Sequence, residues 1–400
     1  MAETCDKAFG RYLRTLRERR ALTLDAVVSL SQTFPETIHK GYLSRCENGF
    51  QKPAFSKIIA LSRIYEVPAD VLVERMELDM ELDRIGGPDT AGLGFGQMTI
   101  RGRESLQRGY RWPAYAFLRD AVVTARTEPP QLSFRDVEEQ YSCAVMSCAT
   151  AAGALGRHRF AIHEFKHLKK QIRLGPRLLT LVLERISSCY LALGDISAAE
   201  HFSDRAIDAS EQAGGEEYRG HALYARARVA LWSQDRRKAV RLFEQAYEEH
   251  KSRDRREDCA LALNSLAQCY FDLRRRGAAR RSCRAALKIA DSVGHLRTKA
   301  FSLLLLGELD ELAEKPNLAL RRWRAAVQIG KELKDRELRF KAEFLIFRRA
   351  IRDENDAVAR AIHRRLHRLA PWIPPTTQEL SEFRNLSHTV TLAGVSRSQR

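Results

Sequence analysis

The sequence predicts an all-α protein: a small five-helix head followed by an α-solenoid. Two observations carry this. Pairs of alanines recur at one fixed interval, as Ala199 and Ala206, Ala239 and Ala246, Ala279 and Ala286, then Ala319 and Ala326. A strict repeat of that kind signals stacked supersecondary units. From Lys7 to Arg75, short apolar stretches at helical spacing alternate with polar breaks.

In the head, Lys7 to Arg20 reads as a helix with Phe9, Tyr12, Leu13 and Leu16 on one face. Thr23 is placed to cap a second helix, Leu24 to Ser31, where Asp25 suits the positive amino end. After a polar stretch with Pro35, a short helix containing Gly41 to Glu47 stops at Asn48-Gly49. A fourth presents Phe55, Ile58, Leu61 and Ile64, and Val67-Pro68-Ala69-Asp70 opens a fifth.

Leu13-Arg14-Thr15-Leu16-Arg17, Leu22-Thr23-Leu24-Asp25, Tyr42 to Gly49 and Ile64 to Pro68 together resemble the lambda-repressor and Cro-like helix-turn-helix domain of the XRE family. The resemblance covers residues 7 to 75 and implies that the third helix enters the major groove of DNA. His39, Lys40, Ser44 and Arg45 are then the candidates for base edges, and Thr23, Asn48 and Lys52 for phosphate. Arg17 and Glu47 match the family's ion pair between the first and third helices, a structural role. One departure stands out: Ser31 to Lys40 is about five residues longer than the family's turn and lacks its glycine.

Met76 to Asp83 is acidic and placed to extend the fifth helix, but Gly86-Gly87-Pro88 with Gly92, Gly94 and Gly96 breaks regular structure, so residues 76–98 are expected to be a flexible link. The solenoid is expected over 99–375. One unit places Leu183, Ile186, Ser187 and Tyr190 on a first helix, turns at Gly194-Asp195, and sets Ala199 and Ala206 on a second. Leu223, Ala227 and Ala230, Leu263 to Tyr270, and Leu303 to Gly307 repeat the first helix. Small residues at fixed places let helices approach closely. These units resemble the tetratricopeptide repeat, although the interval from Ala199 to Ala239 exceeds its usual length of about 34, so the excess belongs in longer turns or helices. Weaker echoes, Gly109 to Ala121, Gly156 to Leu168, and Ala359 with Leu366, bring the count to about seven helix pairs. Pro371, Pro374 and Pro375 end the array, and a mobile tail is expected over 376–400.

A tetratricopeptide-like array implies a concave face lined by first helices, suited to a peptide or protein ligand. Tyr224, Arg228, Asn264 and Gln268 are the candidate partner-binding residues, with solvated helix positions as the rival reading. A helix-turn-helix head joined to such repeats resembles bacterial peptide-responsive regulators.

The net charge is +17, which favours an acidic partner; the head carries +3, residues 76–100 carry −4, and the rest +18. The eight cysteines are scattered with no CxxC pair, so neither a zinc framework nor a disulfide scaffold is read from them. No signal segment and no membrane-length apolar run is seen, so the chain is expected in the cytoplasm with no membrane partner.

His163-Glu164-Phe165-Lys166-His167 matches HExxH, a zinc-peptidase pattern. It falls on a second helix whose Phe165 and Leu168 are packing positions, without an assured third ligand, so it reads as a surface coincidence. The sequence therefore predicts a homodimeric bacterial transcription regulator that binds double-stranded DNA, with no catalytic residue, metal or cofactor. A tetratricopeptide-like scaffold with a non-reading head is the alternative, and a zinc metalloprotease stands third.

Overall fold

Chain reversals come at a strict interval: Gln234, Asp254, Arg274, Gly294, Glu314, Lys334 and Glu354, evenly spaced along the chain, all take positive φ. A left-handed residue just past a helix end satisfies its last carbonyls and turns the chain. The residue after it often caps the next helix, as Asp235, His295, Asp335 and Asn355 do through their side chains. Each alanine-to-alanine repeat of the sequence is therefore two equal structural steps, one per helix.

A computed structural model of the protein describes residues 5–127, 134–171, 174–212, 214–375 and 377–397. The chain divides into two compact units, Met1–Gly215 and Glu216–Arg400. In the first, α1 (Cys5–Arg19), α2 (Leu24–Ser31), α3 (Lys40–Glu47), α4 (Phe55–Tyr65) and α5 (Ala69–Ile85) form the head. Three helical hairpins follow: α6 (Phe95–Arg108) with α7 (Arg111–Thr127), α8 (Phe134–Ala154) with α9 (His158–Gln171), and α10 (Pro176–Ala192) with α11 (Ile196–Ser210). The second unit holds α12 (Arg219–Trp232) with α13 (Arg236–Ser252), α14 (Arg256–Asp272) with α15 (Arg276–Val293), α16 (Leu296–Glu311) with α17 (Pro316–Glu332), α18 (Arg336–Arg352) with α19 (Asp356–Leu369), and α20 (Gln378–Arg397).

Among the described residues, seven hairpins thus follow the head. From α12 to α19 the turns between helices are short, and the extra length of the repeat lies in the helices themselves, as in the long α13, α15 and α17. All eight ladder alanines are fully buried. The close approach they permit is sharpest where Gly307 meets Trp323: a Cβ at 307 would lie 2.2 Å from the indole Nε1, which donates to the Leu304 carbonyl at 3.2 Å.

The span 76–98, expected as a link, begins inside the fifth helix of the head and ends inside α6. Helix α5 continues to Ile85, with Leu78, Asp79 and Leu82 buried, and α6 begins at Phe95. Tyr12, Leu13, Leu72, Leu78 and Leu82 share one apolar core with Tyr115, Leu118, Cys148 and Phe160 of the first repeats. Inside it Asp79 accepts hydrogen bonds from Arg75 Nε (2.9 Å), Arg119 Nη1 (3.1 Å) and Tyr115 Oη (3.2 Å). Arg75 lies over the Tyr12, Tyr115 and Phe160 rings at 5.2 to 5.7 Å. A buried carboxylate shared by two guanidiniums is tolerable only because its lone pairs are filled.

The tail expected over 376–400 is also ordered in part: α20 occupies Gln378–Arg397, with Leu380 and Phe383 buried. Phe383 packs edge-on against Phe340 and Phe347 at 5.7 and 5.8 Å. Among the described residues no helix is long and apolar enough to cross a membrane.

Candidate nucleic-acid interface

Helix α3 is held against α1 by a glycine and a salt bridge. A Cβ on Gly10 would lie 2.3 Å from the Cys46 carbonyl oxygen and 2.7 Å from that of Glu47, so only glycine lets the two backbones come this close. Arg17 clamps the buried Glu47 carboxylate with Nε to Oε1 at 2.7 Å and Nη2 to Oε2 at 2.8 Å, and gives Nη1 to the Leu22 carbonyl at 2.9 Å. The structural role expected for Arg17 and Glu47 is the one seen. Arg14 adds a bond from Nη2 to Asn48 Oδ1 at 2.8 Å.

The long turn between α2 and α3 is closed at its base. Ser31 Oγ accepts from the Ile38 amide at 2.8 Å and donates to the Val28 carbonyl at 2.7 Å, while Ile38 is buried. Lys57 of α4 pins the loop through the Thr37 carbonyl and the Glu36 carboxylate, both at 2.6 Å. Here side-chain bonds replace the glycine that a shorter turn uses.

This frame sorts α3 into two faces. Leu43, Cys46 and Glu47 are buried; Lys40, Gly41, Arg45 and Asn48 are exposed and Ser44 half-exposed, so the i and i+4 neighbours share the open side. Arg45 Nε bonds Gln51 Oε1 at 3.1 Å and Lys40 Nζ pairs with Asp25 at 2.7 Å, both in solvent. Exposed pairs of this kind are weak, which leaves both cations exchangeable for a phosphate or a base. His39 precedes the helix, exposed and without a capping bond from its side chain. Lys52 is exposed in the following loop.

Two of the residues expected at phosphate also have internal duties. Thr23 accepts from the Ala26 amide at 3.1 Å as the cap of α2. Asn48 gives Nδ2 to the Ser44 carbonyl at 2.8 Å while accepting from Arg14, which ends α3. Tyr42 is a strut, its hydroxyl accepting from the Ala54 amide at 2.9 Å. Sequence reasoning passed over Gly10 and gave Arg14 no role of its own; for Gly10, a lone glycine inside a helical pattern was the available signal.

The HExxH stretch is not a surface motif. Glu164 is buried, and its Oε1 takes the Tyr12 hydroxyl at 3.2 Å and Arg19 Nη1 at 3.1 Å, while Oε2 takes Arg19 Nη2 at 3.0 Å. Burial alone would raise its pKa, but the Arg19 charge and the hydrogen bonds from His163 and Arg19 outweigh this and hold the carboxyl well below its usual range. It joins the head to the repeats.

In the second unit, the expected partner-binding residues lie on first helices. The Tyr224 hydroxyl shares a hydrogen bond with Ser265 Oγ at 3.0 Å, and Asn264 Oδ1 accepts from Ser302 at 3.1 Å, so both bridge neighbouring first helices. Gln268 bonds Asp272 one turn on, and Arg228 is half-buried. Further along the same face Arg297 reaches Asp335 at 2.9 Å and Arg348 reaches Glu308 at 3.1 Å.

Residues 8–76 match a family model described as a helix-turn-helix domain. No curated protein sequence matches the chain. Among solved structures, a Rap protein complexed with competence and sporulation factor aligns with TM-score 0.54 and 14% identity, over 86% of this chain and 92% of its own. PlcR from Bacillus thuringiensis, solved with the peptide PapR7 and DNA, aligns with TM-score 0.43 and 15% identity, over 75% and 99%. The protein has an amino-terminal helix-turn-helix domain. Behind that domain it carries tetratricopeptide-like helical repeats.

Proposed function

We propose that the protein is a DNA-binding transcription regulator of the XRE type, cytoplasmic and homodimeric, whose repeats bind a peptide or protein ligand. The observation that carries this is the open side of α3, where Lys40, Ser44 and Arg45 face solvent while Gly10 and Arg17 fix the helix from behind. A helix fixed from behind that presents basic and polar side chains on its open side is what major-groove readout requires. Pairing of two such heads fits half-sites about 34 Å apart. The first helices of the second unit offer polar groups for a ligand, and the Rap fold is seen with competence and sporulation factor. The protein acts by binding and not by catalysis, a reading supported by the engagement of both Glu164 oxygens.

Selection of bound fragments from a genomic pool tests the proposal. Enrichment of a two-fold symmetric sequence is expected. Binding with no sequence preference at any salt would overturn it in favour of a repeat scaffold with a non-reading head. Equal operator affinity with and without a library of short linear peptides would remove the sensing part.

A further inference from the structure

Three side chains converge in the second unit at a place the regulator reading does not use. His221 lies in the first turn of α12, His250 in the last turns of α13 and Asp258 in the first turn of α14. Their donor atoms all fall within 4.8 Å of one another. His221 Nε2 is 3.3 Å from Asp258 Oδ2, and His250 Nδ1 is 3.9 Å from the same oxygen. Around a tetrahedral zinc ion with bonds of about 2.0–2.2 Å, adjacent donors stand about 3.3–3.6 Å apart. These separations need only small side-chain adjustments. We propose that His221, His250 and Asp258 form a binding site for a zinc-class divalent cation, held between α12, α13 and α14.

The donor set suits that class. Two imidazoles and one carboxylate leave a fourth position for water, and nitrogen donors favour zinc and its transition-metal neighbours over magnesium or calcium.

The packing around His250 is an independent sign that the fold accommodates the imidazole. His250 is only 3% exposed. A Cβ at Gly220 would lie 2.8 Å from both Cε1 and Nδ1 of its ring, so glycine at this point of α12 makes the room. An aliphatic side chain would fill the same space without the cost of burying a polar ring. The two rings meet edge to face at 4.9 Å.

Arg255 is the competitor. Its Nη1 stands 3.0 Å from His221 Nε2, the atom a cation would use. The same guanidinium has other partners: Nη2 bonds Glu217 at 2.9 Å, and the group stacks on Tyr218 at 4.4 Å. A cation that displaces it from His221 leaves those two contacts to hold it. Metal binding is thereby coupled to the position of Arg255, and removing the arginine favours the metal.

The test is titration of the dialysed full-length protein with zinc chloride, followed by calorimetry and thermal denaturation. The expected result is one zinc ion per chain with a raised Tm, and no shift with magnesium or calcium. His221→Gln and Asp258→Asn, each checked for native helicity, should weaken zinc binding at least about tenfold. Arg255→Met should tighten it several-fold, and the paired His163→Gln and His167→Gln variant should leave it unchanged. Zinc affinity that is unaltered in His221→Gln and Asp258→Asn, or lost in the His163 and His167 variant, overturns the proposal. So does the absence of any Tm shift with zinc.

Discussion

Arg19 of α1 and Glu164 of α9, far apart in sequence, meet in a two-bonded ion pair at 3.1 and 3.0 Å with both side chains largely buried. The pair fixes the helix-turn-helix head to the repeats. Glu164→Gln leaves the Arg19 charge without its counter-ion and should cost about 3–5 kcal/mol in urea unfolding, whereas replacing both by apolar residues, as in Arg19→Met with Glu164→Leu, should cost much less. Equal losses in the two variants would show that the ion pair is not what holds this contact.

The same carboxyl gives stability a pH dependence of known sign. Its pKa is lowered in the folded protein, so its contribution is fully present above the ordinary carboxylate value, about 4.3. It is lost as pH falls through the lower, folded value. The acid limb of a stability profile should therefore be steeper for the parent than for the Arg19→Met, Glu164→Leu variant, and identical limbs would contradict the assignment.

Gly10→Ala places a methyl group against two carbonyl oxygens of α3, at 2.3 and 2.7 Å. Backbone cannot rotate away as a side chain can, so the helices must part. A loss of about 1–3 kcal/mol is expected from overpacking, with operator affinity falling more than stability alone explains. A variant with parental melting and parental DNA binding would refute the close approach.

Arg45→Ala should weaken specific DNA binding by about 1–3 kcal/mol and relax the preference at one base position, while Lys52→Ala should weaken all sequences alike and lower the salt slope by about one. Anisotropy titrations at several salt concentrations separate the two. Matching effects from both substitutions would mean that Arg45 contacts phosphate and reads no base.

Gln234 and Lys334 sit at φ 64° and 51° in their turns. A left-handed conformation costs an L-residue about 1–2 kcal/mol, and glycine gives part of that relief back as chain entropy. Gln234→Gly and Lys334→Gly should each raise stability by about 0.5–1 kcal/mol in chemical denaturation. A decrease would show that side-chain contacts outweigh the strain.

Much of the architecture was legible because repetition amplifies it. Ala199, Ala239, Ala279 and Ala319 each occupy the same tight slot, so one steric rule is written four times. The Arg17 and Glu47 pair was legible for a different reason, since the family motif carries both residues. What stayed hidden depends on partners far along the chain. Asp79 looked like part of an acidic linker, and Tyr115 and Arg119, on a later helix, make it a core residue. Leu78 with Leu82, and Leu380 with Phe383, had helical spacing that composition obscured. Glu164 was read through a literal motif, whereas its true neighbours, Tyr12 and Arg19, lie on the first helix.

The core that runs from α1 and α5 into α7 and α9 has a bearing on how this molecule tolerates recombination. The family match ends at residue 76, yet a fragment cut there would lose Leu78, Asp79 and Leu82 and bare the Tyr12 side of α1 to water. Grafting the head onto another repeat array would require carrying the matching faces of α7 and α9 with it. The transplantable module is bounded by what its surfaces cover, and it extends well past the helix-turn-helix motif.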